Sequence, residues 1–406
     1  MSDRRVVVTG LGAVTSLGNN LETTWTGLVE GRCGIGPITL FDAEGFRTKL
    51  AAEIRELPDP GVPSRVRRRL SRTDVIGLAA AAEAIAGAGL DLSREDPARI
   101  GVVLGAGVSG LLDSENYFRK LLAHGPRAAR PTLVLNQPPD QTTDRIAQRW
   151  GLLGPRSTIT TACSSSATSL GYAADLIRHG VCDVVMTGGA DTLARLTHGG
   201  FNALRAVDPE PCRPFDRRRK GLSIGEAAAI LVFEEETRAR RRGAEIHARF
   251  LGYGVTSDAH HMTQPEPSGE AGARTLRACL EAARLSPADV DYVNAHGTAT
   301  PQNDPAETAS LKRALGARAR EIPVSSIKSM LGHCLCSAGA IEAAATVLTV
   351  ARGVVPPTIH YGEPDPECDL DVVPNTARTA RIRTALSNSY AFGGNSTVLA
   401  FGAFPG

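Results

Sequence analysis

Two runs of small residues repeat each other at a fixed distance, and this repeat constrains the fold more than any other feature of the chain. Cys163-Ser164-Ser165-Ser166-Ala167 opens a run that ends at Arg178-His179-Gly180. Cys336-Ser337-Ala338-Gly339-Ala340 opens another that ends at Ala351-Arg352-Gly353, offset by 173 residues at both ends. Upstream of each lies a further match. Ala82-Glu83-Ala84-Ile85 leads through Leu90-Asp91-Leu92-Ser93 to Arg99-Ile100-Gly101-Val102-Val103, and Cys279-Leu280-Glu281-Ala282 leads through Leu285-Ser286 to Val290-Asp291-Tyr292-Val293. Self-similarity of this kind is the signature of a duplicated unit. Strand-like apolar runs at 99–104, 183–187, 228–233, 291–295 and 399–401 alternate with alanine-rich helical stretches, which places the chain in the α/β class. Val6-Val7-Val8-Thr9-Gly10 reads as a first strand entering a turn. The charged segment Glu234–Arg242 is the expected division, giving one half over 1–240 and the other over 241–406.

A duplication has a chemical consequence. Both small-residue helices are expected to start near the pseudo-dyad axis, which sets the loop around Cys163 against the loop around His333. A helix start carries unpaired N–H groups and partial positive charge, and these lower the pKa of a cysteine placed there. The expectation is a thiolate. Ser164 to Ala167, Ser169 and Gly171 give that helix a slim face for close packing.

Charge and cysteine usage narrow the function classes. A net charge of +2 in 406 residues points away from nucleic acid and from membrane surfaces as partners. Eight cysteines without framework spacing fit reduced thiols, the N-terminus lacks the pattern of a signal peptide, and no apolar run approaches the roughly 20 residues of a membrane span; the expected location is cytoplasmic. Arginines cluster at Arg65, Arg67, Arg68, Arg69 and Arg72, and again at Arg217, Arg218 and Arg219 beside Lys220. Such runs are solvated faces or docking sites for an acidic partner. Against forty arginines the chain has only five lysines, so Lys328 stands out.

Three segments carry candidate chemistry. Thr160-Thr161-Ala162-Cys163-Ser164-Ser165-Ser166 holds a cysteine at a helix start. Asn294-Ala295-His296-Gly297-Thr298-Ala299-Thr300 follows a strand, and Ser325-Ser326-Ile327-Lys328-Ser329-Met330-Leu331-Gly332-His333 runs into the second repeated helix. Together they resemble the β-ketoacyl-acyl-carrier-protein synthase family, in particular its elongating synthases and the catalytic ketosynthase subunits of type II polyketide-like systems. The resemblance also covers Val8-Thr9-Gly10-Leu11-Gly12, Pro214-Phe215-Asp216-Arg217, Gly225-Glu226-Ala227, the stretch Ser257-Asp258-Ala259-His260-His261-Met262-Thr263, Ser387-Asn388-Ser389 and Phe392-Gly393-Gly394.

The resemblance implies a thiolase-like fold, with duplicated βαβαβαββ halves layered α-β-α-β-α. It implies that Cys163 takes an acyl group from the phosphopantetheine of an acyl carrier protein, and that His296 and His333 then stabilise the enolate formed when malonyl loses carbon dioxide. Lys328 and Glu342 stand behind the histidines. The backbone N–H groups of Cys163 and Phe392 form an oxyanion hole, Phe392 gates the acyl pocket, and Val108 and Phe201 line it. Thr298 and Thr300 hold the pantetheine arm, and no metal or organic cofactor is called for. The expected partners are the carrier protein, docked on Arg65, Arg67, Arg68, Arg69 and Arg205, and a second subunit, either a copy of the chain or a chain-length-factor-like protein.

Two departures from the family pattern bear on mechanism. The family's closing motif is glycine-phenylalanine-glycine-glycine, a variable residue and asparagine, whereas this chain has Ala391-Phe392-Gly393-Gly394-Asn395-Ser396. Ala391 is expected to restrict the gate, and Ser396 replaces an amide that pins it. Cys334 and Cys336 follow His333, which raises a metal-cluster reading and, through a second cysteine, a thiolase-type reaction. A chain-initiating synthase is a further alternative, although His296 within His-Gly-Thr-x-Thr weighs against both. A non-catalytic partner subunit is a different class, and Cys163 speaks against it.

Overall fold

The computed structural model describes residues 4–405. Ten strands join in one mixed sheet: β1 (Val6–Thr15), β2 (Ile100–Gly105), β3 (Arg156–Ile159), β4 (Val184–Asp191), β5 (Ala227–Glu235), β6 (Ala248–Ser257), β7 (Tyr292–Asn294), β8 (Val324–Ser325), β9 (Thr384–Tyr390) and β10 (Asn395–Gly402). Their order is β8-β7-β9-β10-β6-β1-β5-β4-β2-β3. Read outward from the β6–β1 contact, the two sides carry the same order with every number shifted by five. Six helices correspond in the same way, with numbers shifted by three: α1 (Arg72–Gly87), α2 (Gln141–Trp150) and α3 (Ser165–Arg178) in the first half, α4 (Glu270–Ala283), α5 (Asn303–Leu315) and α6 (Ala338–Arg352) in the second. Each half reads βαβαβαββ, with shorter helices inserted. The halves meet where Val6, Val7 and Val8 pair with Phe250, Arg249 and Ala248.

Strand periodicity assigns the layers. On β2, Val102 and Leu104 join α1 and α2 in one core, whereas Val103 joins α3 in another. On β10, Val398 and Ala400 face α4 and α5, while Leu399 and Phe401 face inward. Strands buried on both faces explain why these segments read as unbroken apolar runs. Helices α3 and α6 fill the middle layer and touch strands of both halves. The segment Leu335–Arg352 is long and apolar enough by composition to cross a membrane, which the sequence reading overlooked; it is 89% buried inside the fold.

One expectation is corrected at the N-terminus. The first strand does not turn at Gly10 but continues to Thr15, with a bulge between Val8 and Gly10. Its glycines serve close packing: a Cβ on Gly10 would lie 2.2 Å from the Ala84 carbonyl oxygen, and one on Gly12 2.0 Å from that of Ala80.

The middle helices approach just as closely. A Cβ on Gly339 would stand 2.8 Å from the Cβ of Ala167, and the Ala340 N–H donates to Ser166 Oγ at 2.9 Å. Gly339→Ala is therefore expected to destabilise the fold by about 1–3 kcal/mol through overpacking. Urea denaturation checks this: the midpoint should fall, and an unchanged midpoint contradicts close packing at the dyad.

Candidate active site

Cys163 sits between Ala162, a non-glycine residue at φ +51°, and Ser164, the N-cap of α3. The Ser165 N–H donates to the Ala162 carbonyl at 3.0 Å, and the Thr161 N–H to Ser165 Oγ at 2.9 Å, which fixes this turn. Leu335 stands at φ +55° immediately before Cys336, so the turn recurs at the equivalent place in the second half. Left-handed backbone at a non-glycine residue is costly and persists only where the surroundings hold it.

Each histidine is held by groups that fix its tautomer. The Leu335 N–H, a donor in every state, donates to His333 Nδ1 at 3.1 Å. The ring proton of the neutral imidazole therefore sits on Nε2, which is buried without a protein partner. Lys328 Nζ lies 3.2 Å from His296 Nδ1 and is also ion-paired to Glu342. An ammonium only donates, so His296 likewise carries its proton on Nε2. The rings lie 5.4 Å apart and nearly perpendicular. Burial, with the Lys328 charge behind it, holds both imidazoles well below their usual pKa, so both are neutral at pH 7. Burial also pushes the Glu342 carboxyl up to about 7, against the pull of Lys328.

The Cys163 thiol and both imidazoles open onto one cleft of about 230 Å³, lined also by Thr298, Thr300, Phe201, Arg205 and Phe392. Thr298 and Thr300 share a hydroxyl hydrogen bond of 3.0 Å. Not every expected residue lies there. Val108 packs on the same apolar cluster as Phe201 but lines a separate cleft of about 440 Å³ with Leu111, Val134 and Pro139. Arg65, Arg67, Arg68 and Arg69 are exposed on and just after the short helix Ser64–Arg67, outside the cleft wall. Cys334 and Cys336 do not converge on His333. The Cys334 thiol donates to the Leu331 and Gly332 carbonyls, and Cys336 faces Asp191.

Two further expectations are corrected. Cys163 is not a resting thiolate: burial pushes its thiol up to about 11, although the N–H groups of Phe392 and of Cys163 itself, with Lys328, pull the other way. Desolvation of a sulfur anion outweighs the helix terminus. Ala391 stands at φ −113°, open to any L-residue, so its methyl does not strain the loop in this gate position; the left-handed positions are Gly393 and Gly394, both at +80°. Phe392 stacks on Phe201 with centroids 5.8 Å apart. The Gly393 N–H donates to the Met262 carbonyl at 2.8 Å and the Asp258 N–H to that of Gly394 at 3.0 Å, so the gate is tied to the 258–262 segment.

Glu307 was not singled out from the sequence, yet its carboxylate accepts the N–H groups of His296 at 2.8 Å and Gly297 at 2.7 Å, with Asn388 Nδ2 at 3.0 Å behind it. Asp304, one turn earlier on α5, accepts the Ala299 N–H at 3.1 Å. Two acids three residues apart, at the start of the helix after the histidine loop, were the available signal.

Comparison with known proteins bears on the same residues. The model of the beta-ketoacyl synthase N-terminal domain matches residues 3–239, and that of the C-terminal domain matches 247–362. The chain belongs to the beta-ketoacyl synthase family. It is 40% identical over 411 aligned residues to 3-oxoacyl-[acyl-carrier-protein] synthase 2 of Staphylococcus aureus (strain COL), covering 99% of both chains. The ishigamide ketosynthase/chain length factor superposes with a TM-score of 0.94 at 37% identity over all of both chains. A ketosynthase bound to a hexaketide and in complex with its type II PKS acyl-carrier protein gives 0.89 at 32% identity, again over all of both chains. These similarities agree with a thiolase-like α/β fold.

The raised thiol has a measurable consequence. Alkylation of Cys163 by iodoacetamide should accelerate about tenfold per pH unit from about pH 7 to 10, because only the thiolate reacts. A plateau below about pH 8 contradicts the effect of burial.

Proposed function

We propose that the protein is a β-ketoacyl-acyl-carrier-protein synthase, an acyltransferase that extends an acyl chain by two carbons. The observation that carries this reading is the pair of neutral imidazoles, each with its proton on Nε2, opening onto one cleft with a cysteine thiol. The Cys163 sulfur attacks the acyl thioester; its carbon–sulfur bond to pantetheine breaks, and the pantetheine thiol leaves with the proton. The N–H groups of Cys163 and Phe392, already directed at the sulfur, are placed for the oxyanion of that step. Malonyl on a second carrier then loses carbon dioxide. The electron pair moves onto the thioester oxygen, where His296 and His333 donate hydrogen bonds. Collapse of the enolate forms the new carbon–carbon bond and releases Cys163, which takes up a proton. The two N–H donors fill the place of an electrophile, so the reading calls for no metal or organic cofactor.

Lys328 keeps the His296 tautomer and Glu342 balances its charge. Thr298 and Thr300 receive the pantetheine arm, Phe201 and Val108 bound the acyl pocket that Phe392 gates, and the exposed Arg65–Arg69 face docks the acidic carrier protein. The solved ketosynthase bound to its carrier protein supports the carrier as partner. The ketosynthase/chain length factor neighbour supports a second subunit of that kind, with a homodimer as the alternative. Over a thiolase reaction, the elongating reading is favoured because Cys336 faces Asp191 and does not line the cleft.

Cys163→Ala is expected to abolish acyl-enzyme formation in intact-protein mass spectra, whereas Cys163→Gln should keep malonyl decarboxylation. His296→Ala or His333→Ala should slow decarboxylation by about 10²–10³, the usual effect of losing one oxyanion donor, with much less effect on acylation. Single-turnover assays of each half-reaction decide it: equal losses in both mean that the histidines serve the thiol. Charge reversal across Arg65–Arg69 should raise KM for carrier-bound substrates only; an equal rise with small thioesters leaves these arginines as a solvated face.

A further inference from the structure

The rim of the catalytic cleft carries two cations that take no part in the chemical steps: Lys220, and Arg205, which the sequence placed among the docking residues. Arg205 and Lys220 both line the cleft and are exposed, and among the described residues neither makes an ion pair or a side-chain hydrogen bond. The fold fixes the backbone beneath them. The Leu222 N–H donates to the Ala206 carbonyl at 2.9 Å and the Asp208 N–H to that of Leu222 at 3.0 Å, which sets the two stretches side by side. Between them Gly221 stands at φ +151°, with room for no side chain: a Cβ there would lie 2.5 Å from the Ala206 carbonyl oxygen. The Gly221 N–H donates to the Ala299 carbonyl at 3.0 Å. Lys220 is thereby tied to the loop that presents Thr298 and Thr300.

The acids around this rim are already committed. Glu266 accepts the N–H groups of Ser268 at 2.7 Å and Glu270 at 3.0 Å, and Asp258 accepts that of His260 at 3.1 Å. Glu307 is spent on His296 and Gly297. The acid that senses Lys220, Asp208, is buried beneath the rim and does not line the cleft. None of these acids is hydrogen-bonded to Arg205 or Lys220, so among the described residues both cations keep their N–H donors free for an anion.

We propose that Lys220, with Arg205, binds the phosphate group of the phosphopantetheine arm while the thioester lies between Cys163 and the histidines. The inference rests on the function proposed above, because that reading supplies a ligand with a phosphate at one end and a thioester at the other. An ammonium and a guanidinium on one rim give the phosphate charge-assisted hydrogen bonds. The pantetheine hydroxyl and amides between the two ends then pass Thr298 and Thr300.

The test compares acyl-phosphopantetheine with acyl-pantetheine, which lacks the phosphate, as acyl donors to the full chain. For Lys220→Gln the ratio of kcat/KM between the two donors should fall about tenfold, through KM, and Lys220→Arg should restore most of it. Circular dichroism and the thermal midpoint confirm that each variant is folded. An unchanged ratio overturns the proposal. If only carrier-bound substrate responds, Lys220 meets the carrier protein's own acidic surface, and the phosphate assignment is wrong. If the wild type is acylated at Cys163 by neither donor nor by carrier-bound acyl groups, the proposed function fails first, a result distinct from an unchanged ratio in an active enzyme.

Discussion

Close contact between α3 and α6 is the constraint on which the active site depends. Ala167 and Gly339 leave no room for a larger side chain between the helices, and the Ser166 hydroxyl takes the Ala340 N–H across the dyad. With the helices this close, their starting turns must share one space, and each begins after a residue forced to positive φ, Ala162 in one half and Leu335 in the other. The two turns have diverged in use. The first presents the Cys163 thiol, and the second uses the Leu335 N–H to fix the imidazole of His333. One repeated backbone device supplies both the nucleophile and the tautomer of its partner.

Burial then acts on the thiol, the Glu342 carboxyl and both imidazoles in the same sense, against charge. It raises the Cys163 thiol and the Glu342 carboxyl and lowers both imidazoles. Lys328 is the fixed charge that gives this neutral environment a direction, because it donates to His296 Nδ1 and cannot accept. A neutral thiol beside neutral N–H donors suits a reaction in which negative charge appears only in passing, first at the acyl carbonyl and then at the malonyl enolate. Dipoles already in position cost no reorganisation when that charge develops.

Much of this was legible in the sequence. The offset of 173 residues between Cys163 and Cys336 reflects a duplicated fold, and the apolar runs at 99–104, 183–187, 228–233, 291–295 and 399–401 all fall on strands. Cys163, His296, His333, Lys328, Thr298, Thr300 and Phe392 were recognisable from motifs, and they share one cleft or its immediate wall. What the sequence left unread depends on three-dimensional balance. Whether Cys163 is a thiolate follows from desolvation against a helix terminus, and a linear pattern shows only the terminus. Gly10 and Gly12 look like a turn until α1 is laid against them. Glu307 looks like an ordinary helical acid until its carboxylate is seen under the His296 loop. Ala391 looks like a restriction because it replaces a glycine, yet its φ is unremarkable and the positive angles fall on Gly393 and Gly394.

The central claim is that His296 and His333 rest as neutral imidazoles protonated on Nε2. Nitrogen-15 NMR of histidine-labelled protein tests it most directly, with His296→Gln and His333→Gln spectra assigning two of the nine histidines. The account expects both rings to show the Nε2–H tautomer at pH 7 and to take up a second proton only well below the usual histidine pKa of about 6.5. An imidazolium signal from either residue at neutral pH, or a proton on Nδ1, would contradict it.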